Sequence, residues 1–145
     1  LDWWKSEADN LEESASQLDL IGDSTQLSPR RNRVDGAIVN KRFNQSIKAN
    51  GGNGDVYQDA AVTETEELFD CTVKDLYQQT GGKKGRRDTL PQPAQEAYMV
   101  NESLAANELE RQTGTIGGED QDEVNSKIVE SVRQTSKQTR GWLPW

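Results

Sequence analysis

Short apolar stripes, whose members lie three or four residues apart, constrain the fold of this chain more than any other feature. The clearest stripes are Val39, Phe43 and Ile47 in one stretch, and Val124, Ile128 and Val132 in another. This spacing is the period of an α-helix with one buried face. Glycine and proline residues interrupt the pattern, as they do between helices. The pattern predicts an all-α fold: a small, irregular helical domain of about five helices with an extended N-terminal helix.

Capping residues and helix breakers predict where the helices begin and end. Ser28-Pro29 starts a helix that runs to about residue 50 and stops at the glycines of 51–54. A capping box, Thr63-x-x-Glu66, starts a short helix after an extended or loop segment at 55–58. Thr72 caps a second short helix. The remaining helices are predicted at about 2–20, 91–112 and 122–140.

The composition predicts one domain with a thin core. The chain has 145 residues, of which only 32% are hydrophobic, and its net charge is −8. Such a balance favours folding against a partner. We divide the chain into an acidic N-terminal helix and linker at 1–27, a helical core at 28–114, and a hinge, amphipathic helix and tryptophan tail at 115–145. It starts at Leu1 rather than methionine, so we expect a fragment of a longer protein.

The residue types that most often carry chemistry are scarce. The chain has no histidine, the commonest general base and metal ligand, and one cysteine, Cys71. A single thiol without a histidine lacks its usual activating base, so we interpret Cys71 as a half-buried small hydrophobe. We predict that the chain is not an enzyme and has no catalytic, cofactor-binding or metal site. One reduced cysteine indicates a cytoplasmic protein, and no apolar run predicts a membrane span.

Carboxylates are the remaining candidates for catalysis. Aspartate and glutamate are abundant, but no spacing singles out an acid–base pair. Because most of them fall on predicted polar faces, we interpret them as solvated. An enzyme that depends on carboxylates is therefore the third-ranked hypothesis.

Charge is segmented along the chain. Residues 1–27 carry a net charge of −6, whereas residues 28–50 carry six basic residues against one acid. Clustered lysine and arginine on one helix face are typical of phosphate binding. The candidate nucleic-acid contacts are Arg30, Arg31, Arg33, Lys41, Arg42, Lys48, Lys83, Lys84, Arg86 and Arg87. A competing interpretation pairs the basic segment with the acidic segment that precedes it.

Large apolar side chains lie at both ends of the chain. The N-terminal helix has a seam with heptad spacing, and the chain ends in a tail with two tryptophans. Tryptophan is a favoured interface anchor. The candidate interface residues are Trp4, Leu11, Leu18, Trp142 and Trp145. Either the tail packs on the chain's own core, or it contacts a protein partner or a second copy; we expect self-association.

Several short motifs between residues 63 and 109 occur in the order found in one group of proteins. They are Glu67-Leu68-Phe69, Val73, Leu76-Tyr77, Gly81, Arg87-Asp88-Thr89-Leu90 and Glu102-Ser103-Leu104-Ala105-Ala106-Asn107, with Val132-Arg133-Gln134-Thr135 further on. This third of the chain resembles the C-terminal region of phage antirepressor-like proteins and DNA damage-inducible protein D. The resemblance implies a mobile-element or stress-response accessory protein that acts through binding. The DNA-binding N-terminal domain typical of that group is absent from this sequence.

These observations rank the functional hypotheses. The first is a non-catalytic interaction or regulatory module that binds a protein partner or associates with itself. The alternative is a nucleic-acid-associated protein that uses the basic helix at 29–50.

Overall fold

Proline or glycine residues lie between all but one pair of successive helices. The computed structural model describes residues 29–145, with side chains from residue 35 onward. Its helices are α1 (Pro29–Ala49), α2 (Val56–Phe69), α3 (Val73–Thr80), α4 (Gln92–Arg111) and α5 (Gln121–Arg140), with a 3₁₀ turn at Arg87–Thr89. The predicted all-α class is confirmed for this part of the chain. The helix predicted at 2–20 and its linker lie outside the described residues.

Side-chain caps explain where two of the helices begin. Thr72 accepts a hydrogen bond from the backbone N–H of Asp75 at 3.2 Å, at the start of α3. Asp120 accepts one from the backbone N–H of Glu123 at 2.8 Å, at the start of α5. Each cap satisfies an N–H group of a first helical turn, which has no partner within the helix. The predicted cap at Thr72 is confirmed.

The start of α2 differs from the sequence prediction. The capping box predicts a helix that starts at Thr63, but α2 already begins at Val56, and Thr63 lies buried in its middle. The extended segment predicted at 55–58 is also wrong. Gly54, with φ of +69°, turns the chain into the helix. Val56 and Ala60, four residues apart, are both fully buried, so core packing explains the earlier start.

Hydrogen bonds between helices show how the four long helices are arranged. Asn50, just after α1, donates to the carbonyl of Leu109 near the end of α4, so α1 and α4 run in the same direction. Asn125 in α5 donates to the carbonyl of Asn53 just before α2, so α2 and α5 start side by side. Helix α4 also packs on α5. The result is a four-helix bundle in which α1 and α4 run in one direction and α2 and α5 run in the other, with a cleft between α1 and α2.

Two apolar clusters fill this bundle, one towards each end. The first consists of Phe43, Ile47, Val56, Ala60, Ala105, Ala106, Leu109, Ile128 and Val132. The second consists of Leu68, Phe69, Leu76, Tyr77, Leu90, Ala94, Ala97 and Tyr98, with Cys71 half-buried against it. Burying one large apolar side chain contributes about 1.5–3 kcal/mol. Helix α1 contributes only to the first cluster, and α3 only to the second.

Helix α5 belongs to the same core as the helices before it. Ile128 and Val132 are fully buried members of the first cluster, and Leu143 and Trp145 pack against the second. The sequence division places residues 115–145 apart from a core at 28–114. In the structure this segment completes that core.

The C-terminal tail closes the second cluster. The Trp145 ring stacks on Phe69 with ring centroids 5.8 Å apart, and its indole N–H donates to the carbonyl of Leu68 at 2.9 Å. Arg140 donates to the same carbonyl at 3.1 Å. A carbonyl in the last turn of α2 thereby gains partners that the helix itself does not supply. Trp142, by contrast, is 70% exposed.

Replacing each tail tryptophan with alanine tests this packing. We expect Trp145→Ala to lower the free energy of unfolding by about 2–3 kcal/mol, because it removes a stacked ring and a hydrogen bond to Leu68. Trp142→Ala is the matched control and should change it by less than about 0.5 kcal/mol. Urea denaturation followed by circular dichroism measures both. Equal effects of the two substitutions would contradict the packing described here.

Candidate functional site

A layer of buried polar residues separates the two apolar clusters. Its members lie at the middle of α2 and α4 and towards the C-terminal end of α5: Glu64, Thr65, Asn101, Glu102, Thr135, Ser136 and Thr139. Buried polar groups destabilise a fold unless they are hydrogen-bonded. The partners of this layer therefore determine how the helices face one another.

Neutral hydrogen bonds join three helices within the layer. The Asn101 side-chain amide donates to the Ser136 hydroxyl at 3.0 Å, and the Thr139 hydroxyl donates to the Asn101 carbonyl oxygen at 2.8 Å. The hydroxyls of Thr65 and Tyr98 are 2.6 Å apart. The first two bonds connect α4 with α5, and the third connects α2 with α4. Each gives a buried polar group a partner, which is the condition for keeping it in a core.

Arg87 enters the layer from the 3₁₀ turn. One guanidinium nitrogen of Arg87 donates to both carboxyl oxygens of Glu102, each at 2.8 Å. The guanidinium carbon lies 4.1 Å from the centre of the Tyr98 ring, within cation–π range. A second nitrogen lies 4.0 Å from the Glu64 carboxyl. Asn40 of α1 also donates to both Glu102 oxygens, at 3.2 Å. Glu102 therefore holds α1, α4 and the turn together.

Glu64 is a fully buried carboxyl within the layer. Its side chain is fully buried, and burial together with the adjacent Glu102 raises its pKa well above the usual range, while Arg87 opposes the rise. Glu102 and Asn101 lie beside it. Among the described residues, however, neither Glu64 oxygen has a partner with good hydrogen-bond geometry. Burial and the neighbouring Glu102 therefore favour the neutral form of the Glu64 carboxyl.

Burial and neighbouring charges also shift the pKa values of Arg87 and Tyr98. Burial disfavours the charged form of Arg87, but Glu102 and Glu64 outweigh it, so the pKa of Arg87 is raised. Burial raises the pKa of Tyr98, although the Arg87 charge opposes this. Tyr98 is therefore a neutral phenol that supports the guanidinium with its ring and hydrogen-bonds to Thr65 through its hydroxyl.

A cleft of about 700 Å³ opens above this network, between α1 and α2. The lining residues are Gly36, Ala37, Asn40 and Asn44 of α1; Tyr57, Gln58 and Ala61 of α2; Gly85, Arg86, Arg87 and Asp88; and Gln95, Tyr98, Met99 and Glu102 of α4. Two arginines and two acids make the lining neutral in sum. Most of the other polar groups are side-chain amides, each of which offers a donor and an acceptor. We call this site the α1–α2 cleft.

The chemistry available to the site follows from these contacts. Glu102 belongs to the lining of the α1–α2 cleft, but its oxygens accept hydrogen bonds from Arg87 and Asn40. Glu64 is not part of that lining. Within residues 35–145, no three acidic or cysteine side chains come together in a way that holds a metal ion. The arrangement supplies a shaped polar surface with an anchored guanidinium.

The predicted nucleic-acid contacts do not form one surface. Arg87 enters the polar layer and pairs with Glu102, whereas Arg42 makes a two-pronged pair with Glu110 of α4 at the surface. Arg86 lies on the cleft lining and pairs with Asp88 at 3.0 Å. The exposed lysines are Lys41, Lys48, Lys83 and Lys84. The side chains of Arg30, Arg31 and Arg33 lie outside the described residues.

The predicted interface residues also separate. Trp4, Leu11 and Leu18 lie outside the described residues, as does the acidic segment proposed to pair with α1. Trp145 packs on the chain's own second cluster and is half-buried there. Trp142 remains exposed. Self-association through the tail stays a prediction that depends on Trp142.

Sequence reasoning missed the two buried carboxyls. We interpreted the acids as solvated, but Glu64 and Glu102 are 0% and 1% exposed. The signal was present in their spacing: Glu64 lies midway between Ala60 and Leu68, and Glu102 falls four residues after Tyr98. Both therefore sit on the apolar stripe of their helix. The amides Asn40 and Asn44 and the ring of Tyr57 carried no comparable signal.

Comparisons with models of protein families, with curated proteins and with solved structures find no match for this chain. In the described part of the chain, no helix has the length and apolar character needed to cross a membrane. The site is therefore interpreted from its own geometry.

Two arginines that are adjacent in sequence test the importance of the network. We expect Arg87→Met to lower the free energy of unfolding by about 2–4 kcal/mol, because it leaves two buried carboxyls without their cation. Arg86→Met is the matched control, since Arg86 is exposed and its pair with Asp88 contributes little. It should change stability by less than about 0.5 kcal/mol. Urea denaturation at neutral pH distinguishes the two; a small loss for Arg87→Met would show that the network is not structural.

The raised pKa of Glu64 gives stability a characteristic pH dependence. A carboxyl whose pKa is higher in the folded state stabilises the fold most below its unfolded pKa, about 4.3, and less as pH rises through the folded value. Glu64→Gln cannot ionise and avoids that loss. The variant should therefore gain stability relative to the natural chain as pH rises from about 4 to 8.

Glu110 provides a control of opposite sign. The hydrogen bond from Arg42 lowers the pKa of Glu110, so its contribution to stability is present above the unfolded pKa and lost as pH falls. Glu110→Gln should therefore lose stability relative to the natural chain as pH rises through about 4. Urea denaturation across this pH range measures both variants. Parallel pH curves for the natural chain and Glu64→Gln would contradict a raised pKa of Glu64.

Proposed function

We propose that this chain is a non-catalytic interaction module whose binding site is the α1–α2 cleft. The observation that carries the proposal is the anchored floor of that cleft, where Arg87, Glu102 and Asn40 meet. A volume of about 700 Å³ lies in the range of small-ligand sites in proteins, roughly 300–1,000 Å³. A site of this size accepts a small molecule or one segment of a larger partner.

The floor of the cleft favours binding because it is held before any partner arrives. The three side chains come from α1, from the turn at Arg87–Thr89 and from α4, and charge-assisted hydrogen bonds fix their positions. A preorganised surface loses little conformational entropy on association. The same contacts hold α1 against α4 at the floor of the cleft.

The roles of the two carboxyls support binding over acid–base catalysis. General acid–base chemistry needs a carboxyl that reaches the substrate and can exchange a proton with it. Glu102 is engaged by Arg87 and Asn40, and Glu64 is buried beyond the cleft lining. Both are better explained as the support of a binding surface.

The resemblance noted in the sequence adds a biological setting to the proposal. The motifs that resemble phage antirepressor-like proteins and DNA damage-inducible protein D include Arg87, Asp88 and Glu102, and all three line the α1–α2 cleft. We extend the proposal to a regulatory accessory protein of a phage or a stress response, which uses this cleft to contact its partner.

Affinity capture from source cells, with bound protein and bound nucleic acid both identified, tests the proposal. Ala37 is an exposed residue of α1 on the cleft lining, so Ala37→Trp fills the cleft with little cost to the helix. Gln134→Trp is the matched control, because Gln134 is exposed on α5 at the α4–α5 side of the bundle. We expect the natural chain and Gln134→Trp to retain a common partner, and Ala37→Trp to retain at least about tenfold less, the effect of a loss of roughly 1.4 kcal/mol.

Circular dichroism and urea denaturation establish that both tryptophan variants are folded. If all three proteins retain the same partner equally, the partner binds elsewhere and the proposal is wrong. If only Gln134→Trp loses it, the α4–α5 side, which includes Trp142, is the interaction surface.

A further inference from the structure

The α1–α2 cleft continues along α1 as a shallower groove with a basic border. A second depression of about 400 Å³ shares Ala37, Asn40, Asn44 and Tyr57 with the cleft and extends to Lys41 and Lys48. Both lysines are exposed. Lys83 and Lys84 are also exposed, and they immediately precede residues 85–88, which line the cleft. The groove therefore has cations along α1, beside a cleft whose lining is neutral in sum.

The cleft-facing positions of α1 form one row. Ala37, Asn40 and Asn44 follow one another at spacings of three and four residues, which places them on one face of the helix. The same spacing extended towards the C-terminus reaches Lys48, which also lines the groove. The row therefore has amides in its middle and a cation at its C-terminal end.

The lining of the cleft suits flat, uncharged rings that carry hydrogen-bonding edges. Gln58 is an exposed amide, and the half-buried Tyr57 stands where the cleft meets the groove. Amides offer the paired donor and acceptor that base edges require, and an aromatic ring offers a stacking surface that every base can use. Acidic side chains would be disfavoured inside the cleft, because Asp88 and Glu102 belong to its lining.

From this distribution, and on the basis of the proposed function, we propose that the cleft binds single-stranded nucleic acid. An unpaired base enters the cleft beside Tyr57, and the neighbouring phosphates lie against Lys41 and Lys48. A single strand carries its negative charges on the phosphate backbone and presents neutral bases beside them. This arrangement matches a basic border next to a neutral cleft. The bases of a duplex are paired and stacked, so a duplex cannot place one in the cleft without unpairing it.

Fluorescence anisotropy with a labelled single-stranded 12-mer of mixed sequence tests the inference on the full chain. We expect binding at 50 mM salt that weakens as salt is raised, because phosphate contacts release counterions. Lys41→Gln with Lys48→Gln should weaken it roughly tenfold and make the salt dependence less steep by about 1.4 in log–log slope. The matched control is Lys74→Gln with Lys137→Gln, which removes two exposed lysines from α3 and α5 and should leave the affinity unchanged.

Two further measurements test whether a base enters the cleft. Ala37→Trp and, separately, an abasic strand with the same number of phosphates should each reduce the affinity by about fivefold or more, the effect expected for one lost base–aromatic stack. Equal binding of the abasic strand, of a duplex of the same length or of polyglutamate would overturn the inference, since any polyanion would then suffice.

The outcome also separates this inference from the proposed function. If no oligonucleotide binds, but capture from cells still depends on Ala37, the cleft is a binding site for another class of ligand and only the nucleic-acid inference fails. If oligonucleotides bind equally to the natural chain and to Ala37→Trp, the inference fails because the contact lies outside the cleft.

Discussion

The contact between Arg87 and Glu102 is the interaction on which the rest of this structure depends. Glu64 and Glu102 lie between two apolar clusters, and without a cation two carboxyls would face each other in a buried layer. Arg87 supplies that cation from a turn rather than from a helix. The residues between α3 and α4 are thereby held against the bundle, and Asn40 holds α1 to the same carboxylate. One ion pair thus holds a loop in place, lies between the two halves of the core and forms the floor of the cleft.

The ion pair is better understood as a determinant of geometry than as a source of stability. Desolvating two charges offsets most of their attraction, and apolar side chains of similar volume often stabilise a core as well or better. An apolar replacement would not fix the direction of the Arg87–Thr89 turn, because apolar contacts are not directional. The hydrogen bonds of Asn101 with Ser136 and Thr139 act similarly between α4 and α5. In a chain with few hydrophobic residues, this polar layer supplies specificity that a thin core does not.

Local rules predict much of the fold and little of the site, for a physical reason. The apolar stripe of Phe43 and Ile47 and the cap at Thr72 act within a few residues, so the sequence displays them directly. The early start of α2 depends on the burial of Val56 and Ala60 against other helices, and no local pattern contains that information. Glu64 and Glu102 lie on apolar stripes, but their residue type favoured a solvated interpretation. Their partner, Arg87, comes from a loop, and pairing across such separations is not encoded in any helical period.

The pairing of arginines with acidic residues of the same chain also affects which charges the surface presents. Arg42 pairs with Glu110 and Arg87 with Glu102, so two of the cations in the basic segments neutralise acids of α4. Guanidinium groups suit this role because their planar donors match a carboxylate in two-pronged geometry, whereas the more strongly hydrated ammonium of lysine favours solvent. Arg87, which enters the polar layer, fits that division, and Lys41, Lys48, Lys83 and Lys84 are exposed. An arginine thus neutralises the acids at the floor of the cleft, while the lysines of α1 leave positive charge on the surface beside it.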